Sequence, residues 1–458
     1  MSTEAPLALA LDLGSTRLKL AALRPSGELE VLAACPAPSA RESGLECDFD
    51  PEEFDTAVGE LLALAASLRA PLGIACQRSS FVAWNAQDRR ALTRVISWRD
   101  RRAQAWCDEH AAQGEALARR CGLRFSPHYL GPKLAVLGEQ GLWRCADAEL
   151  RVGTLESFVL ARHGADDEHV TDVSMAARTL LLDPTSSAWD PRAARFFGAR
   201  VEALPRVLAS TGREHRTRGG VSVSASLSDQ AAAFLAVARP GTGDVLVNLG
   251  TGGFVLRETA QFDALERFLC GPLLAAPDGA RRWALEGTIN AGAAGLDALG
   301  GASSAPEGRD PQPELHCSPE SGLGAPHWRA ECAPTYSKSV AGLDARTRRR
   351  AYLEGLVFRV AEIVDALDPQ RTSRVLLSGG VARDPFVAPA LALLLERPLE
   401  LLDEHESTLL GAARLAAGLT PFADPPRTTV EPAAAPWLVD KRARWTSWRD
   451  AWLASART

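Results

Sequence analysis

The chain carries one short device twice, and this repeat restricts its fold more than any other feature. The first copy is Leu7 to Leu23, LALALDLGSTRLKLAAL. An apolar strand reaches a carboxylate at Asp12, a turn of small hydroxylated residues comes next, and Leu18, Leu20 and Ala22 then alternate with other side chains along a second strand. The second copy is Asp244 to Glu258, DVLVNLGTGGFVLRE. With Gly14 set on Gly250, Asp12 falls on Asn248, Ser15 on Thr251 and Leu18 on Phe254. Such self-similarity implies two related halves. Glycine lets the backbone approach an anion, Ser15 and Thr16 offer hydroxyl and N–H donors, Arg17 or Lys19 offers charge, and Asp12 stands where a hydrated metal ion would bind. A single copy is more often an ordinary hairpin turn. Two copies facing each other across a cleft would hold a polyphosphate between them.

A length of 458 residues suits two to three domains, and 46% hydrophobic residues suffice for sizeable cores. The net charge of −6 and the lack of a basic run interleaved with aromatics point away from nucleic acid and anionic membranes. The nine cysteines are odd in number and form no C-x-x-C pair, so neither a disulfide framework nor a zinc site is expected, and a reducing cytoplasm fits. The apolar opening is cut at once by Asp12 and Gly14, which argues against a signal peptide, and no long apolar span occurs after it.

Along the chain, the first strands read as an antiparallel meander. Asp50 then caps a helix that Pro51 opens and Pro71 stops. Gly73 to Gln77 reads as a buried strand whose polar end, Gln77-Arg78-Ser79-Ser80, lies where open α/β sheets gather ligands; a polar loop over the sheet is the plainer alternative. Trp98-Arg99-Asp100-Arg101-Arg102 could grip hydroxyls or carboxylates, or be a solvated charge run. His128, Tyr129 and Lys133 fall on or near a loop. Thr211 to Gly220, poor in apolar residues, reads as a linker dividing the chain into 1–220 and 221–458. Asp229-Gln230 heads a helix, where an Asp is often only a cap. Thr347 is expected to cap a long helix reaching Leu367; Val375 to Ser378 feeds Gly379-Gly380, which could cradle a nucleoside; and the Trp-rich tail from Pro425 reads as peripheral.

Taken in order, DLGST, CQRSS, ISWRDRR, HVTDVSMAARTLLLD, SDQ, NLGTGGF, SGLGAPHW, LLSGGVARDP and STLLGAARLAAGL resemble the FGGY carbohydrate kinases from about residue 7 to 420, most closely in wording the glycerol kinases. The resemblance implies an α/β fold of two ribonuclease-H-like domains, of the actin and hexokinase type, with a central cleft. It implies transfer of the γ-phosphate of ATP, with Mg2+, to a hydroxyl of a small-molecule sugar, ketose or polyol such as a pentulose, a tetritol, a sugar acid or glycerol. It makes Asp229 the base, Gln230 a substrate contact beside Gln77, Arg78, Asp100 and His128, and Asp12 the metal-site residue. Gly14, Ser15, Thr16 and Lys19, with Gly250, Thr251 and Gly252, would hold the phosphates, and Gly379, Gly380 and Asp384 would flank the adenosine. A homodimer is left open.

The chain departs from the glycerol kinase pattern at Ser79, where Glu is usual, at His128, where Tyr is usual, and in the shortened segment Glu286 to Asn290, where an aromatic is expected. Asp384 also replaces a common Asn, and Val136 a Trp. The competing readings are a catalytically weak nucleotide-binding regulatory protein and a phosphohydrolase of the same superfold. A base at Asp229 argues against the first, and an acceptor segment at Gln77-Arg78 against the second.

Overall fold

Each copy of the repeat opens one sheet of the computed structural model, which describes residues 4–144, 149–250, 252–263 and 267–455. In the first sheet β1 (Ala8–Leu13), β2 (Arg17–Leu23) and β3 (Leu29–Pro36) form the antiparallel meander. Strand β4 (Leu72–Cys76) pairs parallel to β1, and β5 (Thr211–Arg216) and β6 (Ser222–Ser228) complete the order β5-β6-β4-β1-β2-β3. The second sheet comprises β7 (Val245–Leu249), β8 (Gly253–Thr259), β9 (Leu269–Ala275), β10 (Arg281–Ile289), β11 (Val375–Ser378), β12 (Leu399–Leu402) and β13 (Arg427–Val430). Its order is β9-β10-β8-β7-β11-β12-β13. In both sheets the opening strand sits centrally, the two nearest strands on one side continue an antiparallel meander, and the two nearest on the other run parallel to it, followed by an antiparallel edge strand. The duplication is therefore one of topology, but the registers differ. Leu13 pairs with Leu18 while Leu249 pairs with Gly253, so the second turn is one residue tighter.

Helix α1 (Pro51–Leu68) forms as the sequence predicts. Asp50 accepts from the amides of Glu52 and Glu53, and Phe54, Val58, Leu61, Leu62 and Ala65 are buried at helical spacing. Two further helices lie between the sheets. Helix α2 (Asp229–Val237) leaves the first sheet, and α4 (Ser407–Ala416) leaves the second and packs on β1, β4, β6 and α2. One buried cluster joins Ala10 and Ala75, Phe234 and Leu235, Leu409 and Leu410, and Leu246 and Leu376. Contact here is backbone-close: a Cβ on Gly73 would lie 2.2 Å from the Ala412 carbonyl oxygen, and one on Gly411 would lie 2.1 Å from that of Ala232. The small residues of GAARLAAG are required by this double packing.

Three expectations are corrected. The stretch 211–220 is no linker: β5 pairs with β6 and turns Arg213 and His215 inward, so the first sheet runs on to Ser228 and a division at 220/221 would cut a hairpin. Helix α3 (Ala345–Leu367) is capped by Asp344, whose carboxylate accepts from the Thr347 amide at 2.7 Å, and not by Thr347. The tail is integral, because β13 pairs with β12 and α5 (Trp437–Ser455) buries Leu438 and Trp445, the latter against Phe358. No described helix is long and apolar enough to cross a membrane, and eight described cysteines are free.

Candidate functional site

Parallel strands β1, β4 and β6 end level with one another, since Leu13 pairs with Cys76 and Cys76 with Ser228. The segments just past these strands are therefore brought to one edge: the Gly14 turn, Gln77-Arg78 and Asp229. In the second sheet β7 and β11 end together at Asn248 and Ser378, which presents Gly250 beside Gly379. Crevices at such carboxyl ends are where open α/β sheets bind ligands.

The glycines differ in why they are there. Gly379 has φ +95° and a Cβ on it would lie 2.3 Å from the Leu249 carbonyl oxygen, so the fold itself demands glycine. A Cβ on Gly14 would lie 2.7 Å from the Arg17 carbonyl oxygen. On Gly250 or Gly380 it would meet nothing within 4 Å, and on Gly252 only the Ile289 carbonyl oxygen at 3.6 Å. Those positions keep room that the protein does not fill, as a phosphate or nucleoside cradle requires. Ser15 and Thr16 are exposed at the first turn. Thr251 lies outside the described residues.

Asp229 is the first residue of α2, after the N-cap Ser228, and its Oδ1 accepts from the Gln230 amide at 2.8 Å. Its side chain is 27% exposed, 3.9 Å from the Arg78 guanidinium. Burial raises its pKa and Arg78 opposes the rise. Asp12 is pushed up to about 7 by burial and by the Asp229 charge, against Lys19. The Asp229 charge thus bears on Asp12. Lys19 is itself held by Glu406, at 2.6 and 2.8 Å. This donor set suits a hard divalent cation. Among the described residues no three His, Cys, Asp or Glu side chains are grouped so as to hold a metal ion.

Arg78 reaches from the first sheet to the second. It donates to both oxygens of Glu286 on β10, at 2.6 and 3.2 Å, and lies over the Phe254 ring at 5.4 Å. Arg178 donates to the same carboxylate at 2.5 Å. Burial works to raise the Glu286 carboxyl, and Arg178 and Arg78 more than offset it. Beside Asp229, the Gln230 Oε1 is buried with no hydrogen-bond partner, an acceptor aimed at no protein donor. Gln77 is buried and accepts from the Ser80 hydroxyl at 2.9 Å. The His128 ring pairs with Ser126 Oγ at 2.8 Å and is held neutral, its pKa lowered to about 4 by burial and by Lys133. Lys133, fully buried, donates to the carbonyls of Ser97 and His128 at 2.8 and 2.9 Å and so ties together the loops bearing Trp98 and His128.

Two expected ligand contacts have other partners. Asp100 is fully buried, accepting from the Cys47 amide at 2.7 Å and from Arg102, so it orders its own loop and has no oxygen free for a substrate. Asp384 pairs with Arg349 at 2.8 Å and accepts from the Phe386 amide at 3.0 Å, which shapes the turn after Gly380. Sequence reasoning does not assign Arg178, Glu286 or Glu406 to the site. Arg178 lies within the HVTDVSMAARTLLLD segment, but its partner is 108 residues away, and no local pattern announces such a pair.

Residues 7–235 match the FGGY family of carbohydrate kinases, N-terminal domain, and residues 245–419 match its C-terminal domain. A glycerol kinase of Methylobacterium nodulans is 32% identical over 464 residues, covering 91% of this chain and 92% of its own. Among solved structures, a xylulose kinase from Rhodospirillum rubrum superposes with a TM-score of 0.83 at 18% identity, covering 98% of this chain and all of its own. A Plasmodium falciparum glycerol kinase with ADP gives 0.78 at 18% identity, covering 98% of this chain and 97% of its own. These last two likenesses are ones of fold.

Proposed function

The chain belongs to the FGGY family of carbohydrate kinases and is an ATP-dependent sugar or polyol kinase, and within that class we propose that Asp229 is the base that takes the proton of the acceptor hydroxyl. The observation that carries this reading is that Asp229 stands beside the unpartnered Gln230 Oε1, at the strand edge that also bears Asp12. Gln230 orients the hydroxyl by accepting from it or from a neighbour. Arg78, held over the Phe254 ring, borders the acceptor, and burial keeps Asp229 basic enough to accept a proton as the oxygen attacks. Gly14, Ser15, Thr16 and Lys19 on one side, and Gly250 and Gly252 on the other, cradle the phosphates. Gly379 and Gly380 border the nucleoside. Asp12 holds the magnesium ion of Mg-ATP, which supplies neutralisation of phosphate charge when bound. Phosphoryl transfer asks for positioning and electrostatics more than covalent chemistry, so these parts suffice.

We also propose that the chain crosses between domains between Val237 and Val245 and works in a reducing compartment, the cytoplasm, a reading that the free described cysteines favour. The test is ATP consumption with a panel of polyols and ketoses, for the wild type and Asp229→Asn. Turnover should fall by about a hundredfold or more while nucleotide affinity stays nearly constant. Near-normal turnover in Asp229→Asn would remove the base from Asp229.

A further inference from the structure

We propose that Asp172, acting through the Ser174 hydroxyl, is a positioning residue for Asp229, and that the same carboxylate ties the base to the second sheet through Ser210. The inference rests on the reading of Asp229 as the base. Asp172 is fully buried and caps the single helical turn Val173–Ala176. Its Oδ1 accepts from the amides of Ser174 and Met175, at 2.7 and 3.3 Å, and from the Ser174 hydroxyl. A hydroxyl has one proton, so Ser174 Oγ, having donated it, can only accept from its other neighbour. That neighbour is the Ser228 amide, at 2.8 Å. Ser228 is the N-cap of α2 and its own side chain makes no capping bond, so the start of the helix that presents Asp229 is fixed from outside by Ser174.

The second oxygen repeats the arrangement. Ser210 Oγ donates to Asp172 Oδ2 at 2.6 Å and accepts from the Ala275 amide at 3.1 Å, while the Ser210 amide donates to the Ala275 carbonyl at 2.8 Å. Ala275 ends β9, which pairs with β10, the strand that carries Glu286. The same chain segment then reaches Arg178, which donates to Glu286 and whose carbonyl accepts from Ser79 Oγ at 3.2 Å. Residues 172–178 therefore touch the base helix, the acceptor strand end and the second sheet at once.

A carboxylate is needed here because both serines must be donors to it if both are to be acceptors for the amides. An Asn at 172 would keep Oδ1 toward the Ser174 and Met175 amides and turn its NH2 on Ser210. The reach to the second sheet would lose its order while the reach to Ser228 survived. Burying a carboxylate this deeply is unfavourable. Glu156 lies beneath it, accepting from the Asp172 amide at 2.7 Å, and Arg213 at 3.8 Å is the nearest cation. An interior of serines and two carboxylates would be a poor choice for packing alone.

The test compares Ser174→Ala, Ser174→Cys and Ser174→Thr with the wild type, by steady-state kinetics and by amide hydrogen exchange of the peptide 226–232 in the ligand-free full chain. Ser174→Ala and Ser174→Cys should lower kcat by about tenfold or more, with both KM values within about threefold, and should speed exchange at Ser228. Ser174→Thr keeps the hydroxyl and should restore kcat and protection to within about threefold. Wild-type kcat and exchange in Ser174→Ala would overturn the proposal, as would equal loss in the Thr and Ala variants, which would mark a packing role. Should Ser174→Ala fail to fold, the Cys and Thr pair decides on the same two readouts. A wild type that turns over no acceptor would count against the kinase reading alone, and the exchange comparison would still decide this one.

Discussion

Arg78, at the end of β4, donates to both carboxylate oxygens of Glu286 on β10, so a single side chain from the first sheet closes on the second directly beside Asp229. With Arg178 on the same carboxylate, Glu286 balances two guanidinium groups in a buried setting. Removing one member of a buried pair leaves uncompensated charge, which costs about 3 kcal/mol or more. Glu286→Gln should therefore lower the stability to denaturant by about that amount and raise KM for the acceptor, because Arg78 loses its fixed position. Equilibrium unfolding and steady-state kinetics check both. An unchanged midpoint would mean that the pair is solvated in solution.

The helices exchanged between the sheets give a second, purely steric expectation. Gly411 lies so close to Ala232 that an added Cβ would sit 2.1 Å from a backbone oxygen that cannot rotate away. Gly411→Ala should destabilise by about 1 to 3 kcal/mol although alanine favours a helix. A thermal melt is sufficient. A gain in stability would show that α2 and α4 have slack the close approach denies.

The sequence carries the fold well where a local pattern has one physical cause. The repeat at Leu7 and Asp244 foretells paired sheets because hydrophobic alternation and a glycine turn leave the backbone few choices, and α1 is bounded by Asp50 and Pro71 as the sequence predicts. It misleads where long-range pairing decides. Thr211 to Arg216 looks like a linker because its side chains are polar, yet Arg213 and His215 are buried once β5 finds β6. The same holds in the site. Gln230 stands out by its motif, but its unpartnered oxygen is visible only in three dimensions, and Asp100 is a plausible ligand contact until Arg102 and the Cys47 amide take both its oxygens.

His128 sets a pH dependence. Burial and Lys133 lower its pKa from 6.5 to about 4, so between those values the unfolded chain binds a proton that the folded chain refuses. The stability held by neutral His128 is complete above pH 6.5 and is lost as pH falls from there through 4, an effect on the order of 3 kcal/mol. His128→Gln should lose less stability than the wild type between about pH 6.5 and 4.5, measured as the difference in denaturant midpoints. Parallel curves would place His128 in solvent.

The choice of acceptor is expected to follow from groups the cleft lacks. Ser79 is short and uncharged where the glycerol kinase pattern has Glu, and its hydroxyl is engaged with the Arg178 carbonyl. Asn290 stands in the segment that would supply an aromatic wall and donates its side-chain amide to the Gly322 carbonyl at 2.7 Å. With that wall and carboxylate gone, a three-carbon triol leaves polar groups unpaired, which typically costs a few kcal/mol or about two orders of magnitude in specificity. A longer neutral chain brings further hydroxyls for Gln230 and Arg78 to bind. A sugar acid gains little from Arg78, Arg178, Arg102 and Arg99, which are already paired: Arg78 and Arg178 on Glu286, Arg102 on Asp100 and Arg99 on Glu42. The specificity constants should therefore rank a pentulose or tetritol above both glycerol and gluconate. Erythritol, xylulose, ribulose, glycerol and gluconate compared on purified protein decide it. Glycerol ahead by about tenfold would show that water replaces the missing carboxylate, and gluconate ahead would show that Arg78 or Arg178 leaves Glu286 for the substrate.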